Sequence, residues 1–437
     1  MKEYKNNKFF FFLKFIINLF FIFFIFYFRK KNFLIQNKKK NNINKKNYIE
    51  IKNNNKNIYE IINRLKKDSN KRLSKYILLF DFYKNPYCND YNAYYIFKYY
   101  LKNKNYDAFY IINYQSDLYN TLLKENNTQN LIPVHSNDNI FNLLYNYILN
   151  SKIIINSYIF IEFQLIINEV DFLKYLYLTH AVGYFKKLGI KNEFKYLKKN
   201  KRNIIATSPK EYEIYKYNLN YSETYIHKAG LPRYDRFQYF KKNITEKDCI
   251  LISFTYRSYN NKIYEKSLLK INLEKLLNDT SLMKILNKNN IDLIYIPHHF
   301  DVLRKRIINA EKFPFIKYKK QKFLSHYIEQ CSLFITDFST ISFDFMFLNK
   351  PVLYYLIDLK DKIKFREREY MYFDPKNNIY YGNVFYNQQS LIEKINYYKN
   401  RNFTIEDNIK KEYNSLFFYK KNITGRIVEI INEIIHK

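Results

Sequence analysis

From residue 75 onward, short apolar runs alternate with longer amphipathic stretches. Tyr76–Phe80 (YILLF) predicts a strand and Ala93–Lys102 a helix; Ala108–Asn113 predicts the next strand and Ile140–Ile148 the next helix. Lys152–Ile155, Tyr175–Thr179 and Asn203–Ala206 continue the series as strands. The second half repeats the scheme. Cys249–Phe254 and Asp292–Ile296 read as strands around helices at 267–278 and 279–287. Ser332–Thr336, a helix over Thr340–Leu348 and Val352–Ile357 then form a βαβ unit. Strands separated by helices of this length predict parallel β/α units, not a meander. Gly230 and Pro232 punctuate the chain before a charged stretch, so a boundary is expected within 230–248. The expected fold class is therefore α/β, with two Rossmann-like halves facing a cleft. The segments are 76–235 and 236–437.

The amino terminus breaks this pattern. Phe9–Phe28 is apolar apart from Lys14 and Asn18, and as a helix would span roughly 30 Å, one hydrocarbon thickness. Arg29, Lys30, Lys31 and Lys38–Lys40 outweigh Lys2, Lys5 and Lys8, which puts the downstream chain on the cytoplasmic face of a cell membrane. Residues 1–35 are thus expected to be a membrane anchor. Residues 36–75, rich in Asn and Lys, read as a basic linker with one short helix near Ile58–Leu65.

Charge sharpens that division. The chain of 437 residues carries a formal charge of +34, and residues 1–75 hold 20 basic against 4 acidic side chains. A basic membrane-proximal stalk fits such concentration better than a nucleic-acid coat does, and no nucleic-acid motif accompanies it. Five glycines, at 183, 189, 230, 382 and 425, exclude the P-loop and the GxGxxG fingerprint. Three scattered cysteines, Cys88, Cys249 and Cys331, give neither a disulfide framework nor a thiolate metal site. No Asp-x-Asp pair is present, and neither a metal nor a cofactor is called for.

Candidate chemistry gathers where predicted strands end. In Ser332–Pro351 an apolar strand runs into Asp337, with Ser339 and Thr340 as N-cap residues of the next helix. Such a turn aims backbone N–H groups at one spot and suits a phosphate, though it equally suits ordinary capping. His298 and His299 follow the strand ending at Pro297, where a histidine can donate to phosphate oxygens or move a proton. His180 ends another strand ahead of Lys186 and Lys187, a pattern for a general base or for a surface loop. Thr255 and Arg257 end the strand SFTYR, and an arginine there clamps phosphate or forms a structural ion pair. In Gly230–Phe237 (GLPRYDRF), Arg233 and Asp235 are expected to pair across a turn.

The order HxxGxxKKLG, GLPRYD, FTYR, a strand ending in PH, and ITDFSTxxFDFxxLNKPVxYY resembles the CDP-glycerol glycerophosphotransferase family of teichoic-acid and capsule synthesis. The resemblance runs from about Tyr76 to about Lys394. It departs at Thr179-His180-Ala181-Val182, where the family has Trp-His-Gly-Thr, and at His298-His299, where the family has His-Pro. It implies a GT-B-like fold and an enzyme that passes glycerol phosphate, or a related alditol phosphate, from a CDP-alditol donor to a lipid-linked glycan or polymer, releasing CMP. By the same resemblance His180 is the base on the acceptor hydroxyl. Arg257, Thr255, His298, Asp337, Ser339 and Thr340 surround the pyrophosphate, with Arg233 also on the substrate side. The alternative enzyme is a GT-B glycosyltransferase using a nucleotide sugar.

Overall fold

Two runs of parallel strands, their central members buried on both faces, organise the chain. The computed structural model describes residues 57–84, 92–125, 128–135, 140–158, 160–179, 182, 202–238, 247–257, 261–306, 316–319, 324–358 and 383–437. Two compact units divide it, Met1–Arg64 and Leu65–Lys437. In the first, the described residues 57–64 are helical. Phe9–Phe28 lies outside the described residues, and no helix among those described is long and apolar enough to cross a membrane.

Both sheets belong to the second unit. The first contains β1 (Tyr76–Phe80), β2 (Asp107–Asn113), β3 (Leu131–Val134), β4 (Ser151–Asn156), β5 (Tyr175–Tyr177), β6 (Asn203–Ala206) and β7 (Ile226–Lys228). Its order is β3-β2-β1-β4-β5-β6-β7, parallel throughout. The second contains β8 (Cys249–Ile252), β9 (Asp292–Tyr295), β10 (Ile316–Tyr318), β11 (Leu333–Thr336), β12 (Val352–Tyr355) and β13 (Asn383–Phe385). Its order is β10-β9-β8-β11-β12-β13, also parallel. Continuous apolar runs explain the arrangement: Ile77, Leu78, Leu79 and Ile250, Leu251, Ile252 are fully buried, as central parallel strands require.

Each sheet reverses its winding once, between β1 and β4 and between β8 and β11. Loops leaving the carboxyl ends of those strand pairs flank a crevice, the place where open α/β sheets bind ligands. Of the candidate residues, Asp337 follows β11 directly and Thr255 lies three residues beyond β8.

The last helix, Ile423–His436, returns to first-sheet elements. Lys174 Nζ donates to the Ile435 carbonyl at 2.6 Å, and Asp235 accepts from the amides of Ile423 at 2.9 Å and Thr424 at 2.6 Å. Asp235 is therefore a helix cap supplied from far away in sequence. It does not pair with Arg233 as the spacing predicts. Gly230 permits this closure, since a Cβ there would lie 3.0 Å from Ile423 Cδ1.

Candidate functional site

At the second winding reversal, Asp337 leaves β11 with its carboxylate fully buried. Thr255, just beyond β8, donates to it through both its amide and its hydroxyl, each at 2.8 Å. Arg257 Nη2 also binds Asp337, while its Nε and Nη2 donate to Asp358 at 2.7 and 2.8 Å. Arg257 Nη1 turns back to the Thr255 carbonyl. The arginine is only 2% exposed and its fork is occupied by two carboxylates. Arg257 thus clasps β8 to β11 and the segment after β12; it is not a side chain held open for phosphate. The reason is proximity: the neighbouring parallel strands β8, β11 and β12 end side by side, so the acids after β11 and β12 lie beside the guanidinium after β8, and buried charges must be paired.

Ser339 and Thr340 follow on the same loop and are half-buried. The helix begins at Ser342, two residues later than the spacing predicts, and Ile341 at its start gives no side-chain cap. Instead the Ser339 carbonyl accepts from the Ser342 amide and hydroxyl, at 3.1 and 2.8 Å. The Ser339 hydroxyl accepts weakly from the Ile341 amide at 3.4 Å. Helix capping therefore does not account for Thr340, whose carbonyl alone enters the turn, through the Phe343 amide.

His298 caps the helix His299–Leu303. Its Nδ1 accepts from the Phe300 amide at 3.3 Å. That bond leaves the proton of the neutral ring on Nε2, a donor. The ring stacks on Phe300, centroids 5.5 Å apart, and lies 5.7 Å from Tyr256. Asp301, one turn on, faces Arg306 at 4.0 Å. Burial pushes its carboxyl up to about 7, against the pull of Arg306, Arg257 and Arg304. Arg306 in turn donates to the Arg257 carbonyl at 3.0 Å, which ties the His298 loop to the clasp.

The first sheet carries a counterpart that the sequence reading omitted. Asp81 follows β1 and is buried; it accepts from the amides of Ala93 at 3.0 Å and Tyr94 at 3.1 Å, from Tyr110 Oη at 2.8 Å, and from the Ser157 hydroxyl beyond β4. In both sheets a hydroxyl from one central strand end thus reaches an Asp at the other. Burial raises the Asp81 carboxyl to about 6, opposed by its donors Ser157, Ala93, Tyr110 and Tyr94. An Asp directly after an apolar strand, as in Phe80-Asp81 and Thr336-Asp337, is the signal that marks both.

Arg233 is buried, and its Nη2 meets both oxygens of Asp344, at 2.9 and 3.3 Å. Asp344 lies in the helix Ser342–Phe347 that follows the Ser339–Thr340 turn. Arg233 therefore joins the carboxyl edges of the two sheets. His180 lies outside the described residues, as do Lys186 and Lys187; Thr179, immediately before His180, is described and has φ 59°. The structure thus brings together Thr255, Arg257, His298, Asp337, Ser339 and Thr340, with Arg233 joined through Asp344.

A family model described as CDP-glycerol:poly(glycerophosphate) glycerophosphotransferase matches residues 59–433. The minor teichoic acid biosynthesis protein GgaB of Bacillus subtilis (strain 168) is 30% identical over 255 residues, covering 54% of this chain and 27% of that protein. The teichoic acid glycerol-phosphate primase of the same organism is 25% identical over 193 residues, covering 42% of this chain and 45% of that protein. The chain thus spans less than half the length of either curated relative. Among solved structures, the wall teichoic acid polymerase TagF superposes with a TM-score of 0.61 at 14% identity, over 87% of this chain and 97% of that one. At that identity the likeness shows the fold, an α/β arrangement of parallel sheets of the GT-B-like kind.

Proposed function

The chain belongs to the CDP-glycerol:poly(glycerophosphate) glycerophosphotransferase family, and on that footing we propose that it transfers glycerol phosphate from CDP-glycerol to a hydroxyl of a teichoic-acid-like acceptor. The acceptor oxygen attacks the β-phosphorus, the bond from that phosphorus to the bridging oxygen breaks, and CMP leaves. The hydroxyl proton passes to His180. Charge grows on the phosphoryl and leaving oxygens, which is where phosphoryl transfer needs donors. His298 Nε2–H and the hydroxyls of Ser339 and Thr340 supply them. Thr255, Asp337 and Arg257 hold the strand ends that present those donors.

The observation that carries this reading is the buried clasp of Thr255, Asp337 and Arg257 at the second winding reversal. It fixes one rigid edge from which the His298 loop and the Ser339–Thr340 turn both depart. Phe9–Phe28 would keep the enzyme on the cytoplasmic face of the membrane, near a lipid-linked acceptor, with the basic residues of 38–75 on anionic headgroups.

Incubating the full chain with CDP-glycerol and CDP-ribitol in parallel tests the proposal, with nucleotide release and acceptor mass as readouts. CMP together with an acceptor heavier by one alditol phosphate is the expected result. Release of UDP or GDP from nucleotide sugars, with none from CDP-alditols, would replace it with sugar transfer.

A further inference from the structure

Asn92 is fully buried at the first residue of the helix Asn92–Asn103. The next two amides of that helix, Ala93 and Tyr94, are held by Asp81, so the position of Asn92 is fixed from β1. Its Nδ2 donates to the Thr179 carbonyl at 3.0 Å, across 87 positions of sequence. Its Oδ1 accepts from the Arg233 amide at 3.4 Å. One side-chain amide, donating on one side and accepting on the other, therefore joins the loop after β5 to the segment after β7.

Thr179 is an unusual residue to find at the far end of that bond. A β-branched side chain at φ 59° is strained, and such a backbone persists only where its surroundings over-determine it. Glycine would adopt the same φ freely, yet the chain keeps threonine and buries it. His180 is the next residue. We propose that Asn92 is a positioning residue for His180: its amide holds the carbonyl of Thr179, and with it the left-handed backbone from which the base departs. The proposal rests on His180 being the base. It adds that Asn92 also ties this backbone to Arg233, whose guanidinium pairs with Asp344 beside the proposed phosphate turn.

Asn92→Asp tests this, because it keeps the acceptor for the Arg233 amide and removes the donor to Thr179. Turnover measured by CMP release should fall about 10²-fold, the effect of a small misplacement of a catalytic group. Donor affinity by calorimetry should stay within about twofold, since no phosphate contact is touched. In a His180→Ala background the same substitution should cost nothing further, because both act on one step. Amide exchange in the peptide carrying Thr179 should quicken about tenfold, the size of one lost hydrogen bond, while β1 and β4 stay protected. Should the aspartate prevent folding, Asn92→Ala removes the same donor without burying a new charge.

Near-normal turnover, an equal loss of donor affinity, a full further loss in the His180→Ala background, or unchanged exchange at Thr179 would each overturn the proposal. A wild type that releases no CMP defeats the assigned reaction instead; exchange at Thr179 still decides whether Asn92 holds that backbone.

Discussion

Arg233 and Asp344 form a buried ion pair at 2.9 Å between positions 111 residues apart, one after β7 and the other in the helix that follows β11. Both side chains are almost wholly out of water, so neither tolerates loss of its partner. Arg233 also lies over the Tyr234 ring at 5.3 Å, and Tyr234 packs on Phe347 with centroids 4.3 Å apart. Charge and ring together close the same junction. Arg233→Ala or Asp344→Ala should each cost about 3–5 kcal/mol in chemical denaturation, because each strands a buried charge. The double substitution should cost far less than the two combined. Additive losses would mean that the charges do not depend on each other.

The proposed phosphate turn and its frame should separate under mutation. Ser339 and Thr340 are half-buried and do little for the fold, so Ser339→Ala with Thr340→Ala should weaken CDP-glycerol binding and leave thermal unfolding unchanged. Asp337→Ala should behave differently. It leaves the amide and hydroxyl of Thr255 and one side of Arg257 unpaired in the interior, which lowers stability along with activity. Calorimetric donor affinity and a melting curve for each variant distinguish the two. An unstable Ser339/Thr340 variant would make that turn part of the frame.

The central strands were legible in the sequence because parallel strands buried on both faces are unbroken apolar runs. The edges were not. β3 contains Pro133, which a sequence reading discounts and which an edge strand tolerates. β7, β10 and β13 have three residues each, too short for a pattern. Thr255, Asp337 and His298 could be found because each follows a strand end. Asn92 and Asp344 could not, since their partners stand 87 and 111 residues away. The same limit turned Arg257 from a proposed clamp into a clasp: nothing local reveals that Asp337 and Asp358 occupy its fork.

Two buried carboxyls set a pH dependence with a definite sign. Burial lifts Asp301 to about 7 and Asp81 to about 6, above the usual value of 3.8. Between roughly pH 4 and those values the native state keeps protons that the unfolded chain has released, so these groups stabilise the fold below pH 4 and lose that contribution as pH rises. Thermal midpoints should therefore decline between about pH 5 and 7 from this source. Asp301→Asn should flatten the decline, leaving the share due to Asp81. An unchanged slope in the variant would show that Asp301 ionises normally in the folded protein.

His298 has two separable duties, and two substitutions part them. Its Nδ1 accepts from the Phe300 amide as a helix cap, which leaves Nε2–H as the group proposed to meet the donor's phosphate. His298→Asn keeps an acceptor suited to the cap, since asparagine is among the preferred residues there, but its amide ends short of the Nε2 position. His298→Ala removes both. The asparagine variant should therefore unfold like wild type, whereas the alanine variant should lose about 1 kcal/mol of stability, an ordinary capping contribution. Both should lose donor affinity alike, by about 1.5–3 kcal/mol, the worth of a hydrogen bond to a charged group. Urea denaturation and calorimetry with CDP-glycerol check the two halves independently. If His298→Asn binds the donor as wild type does, Nε2 makes no phosphate contact and the residue is only a cap.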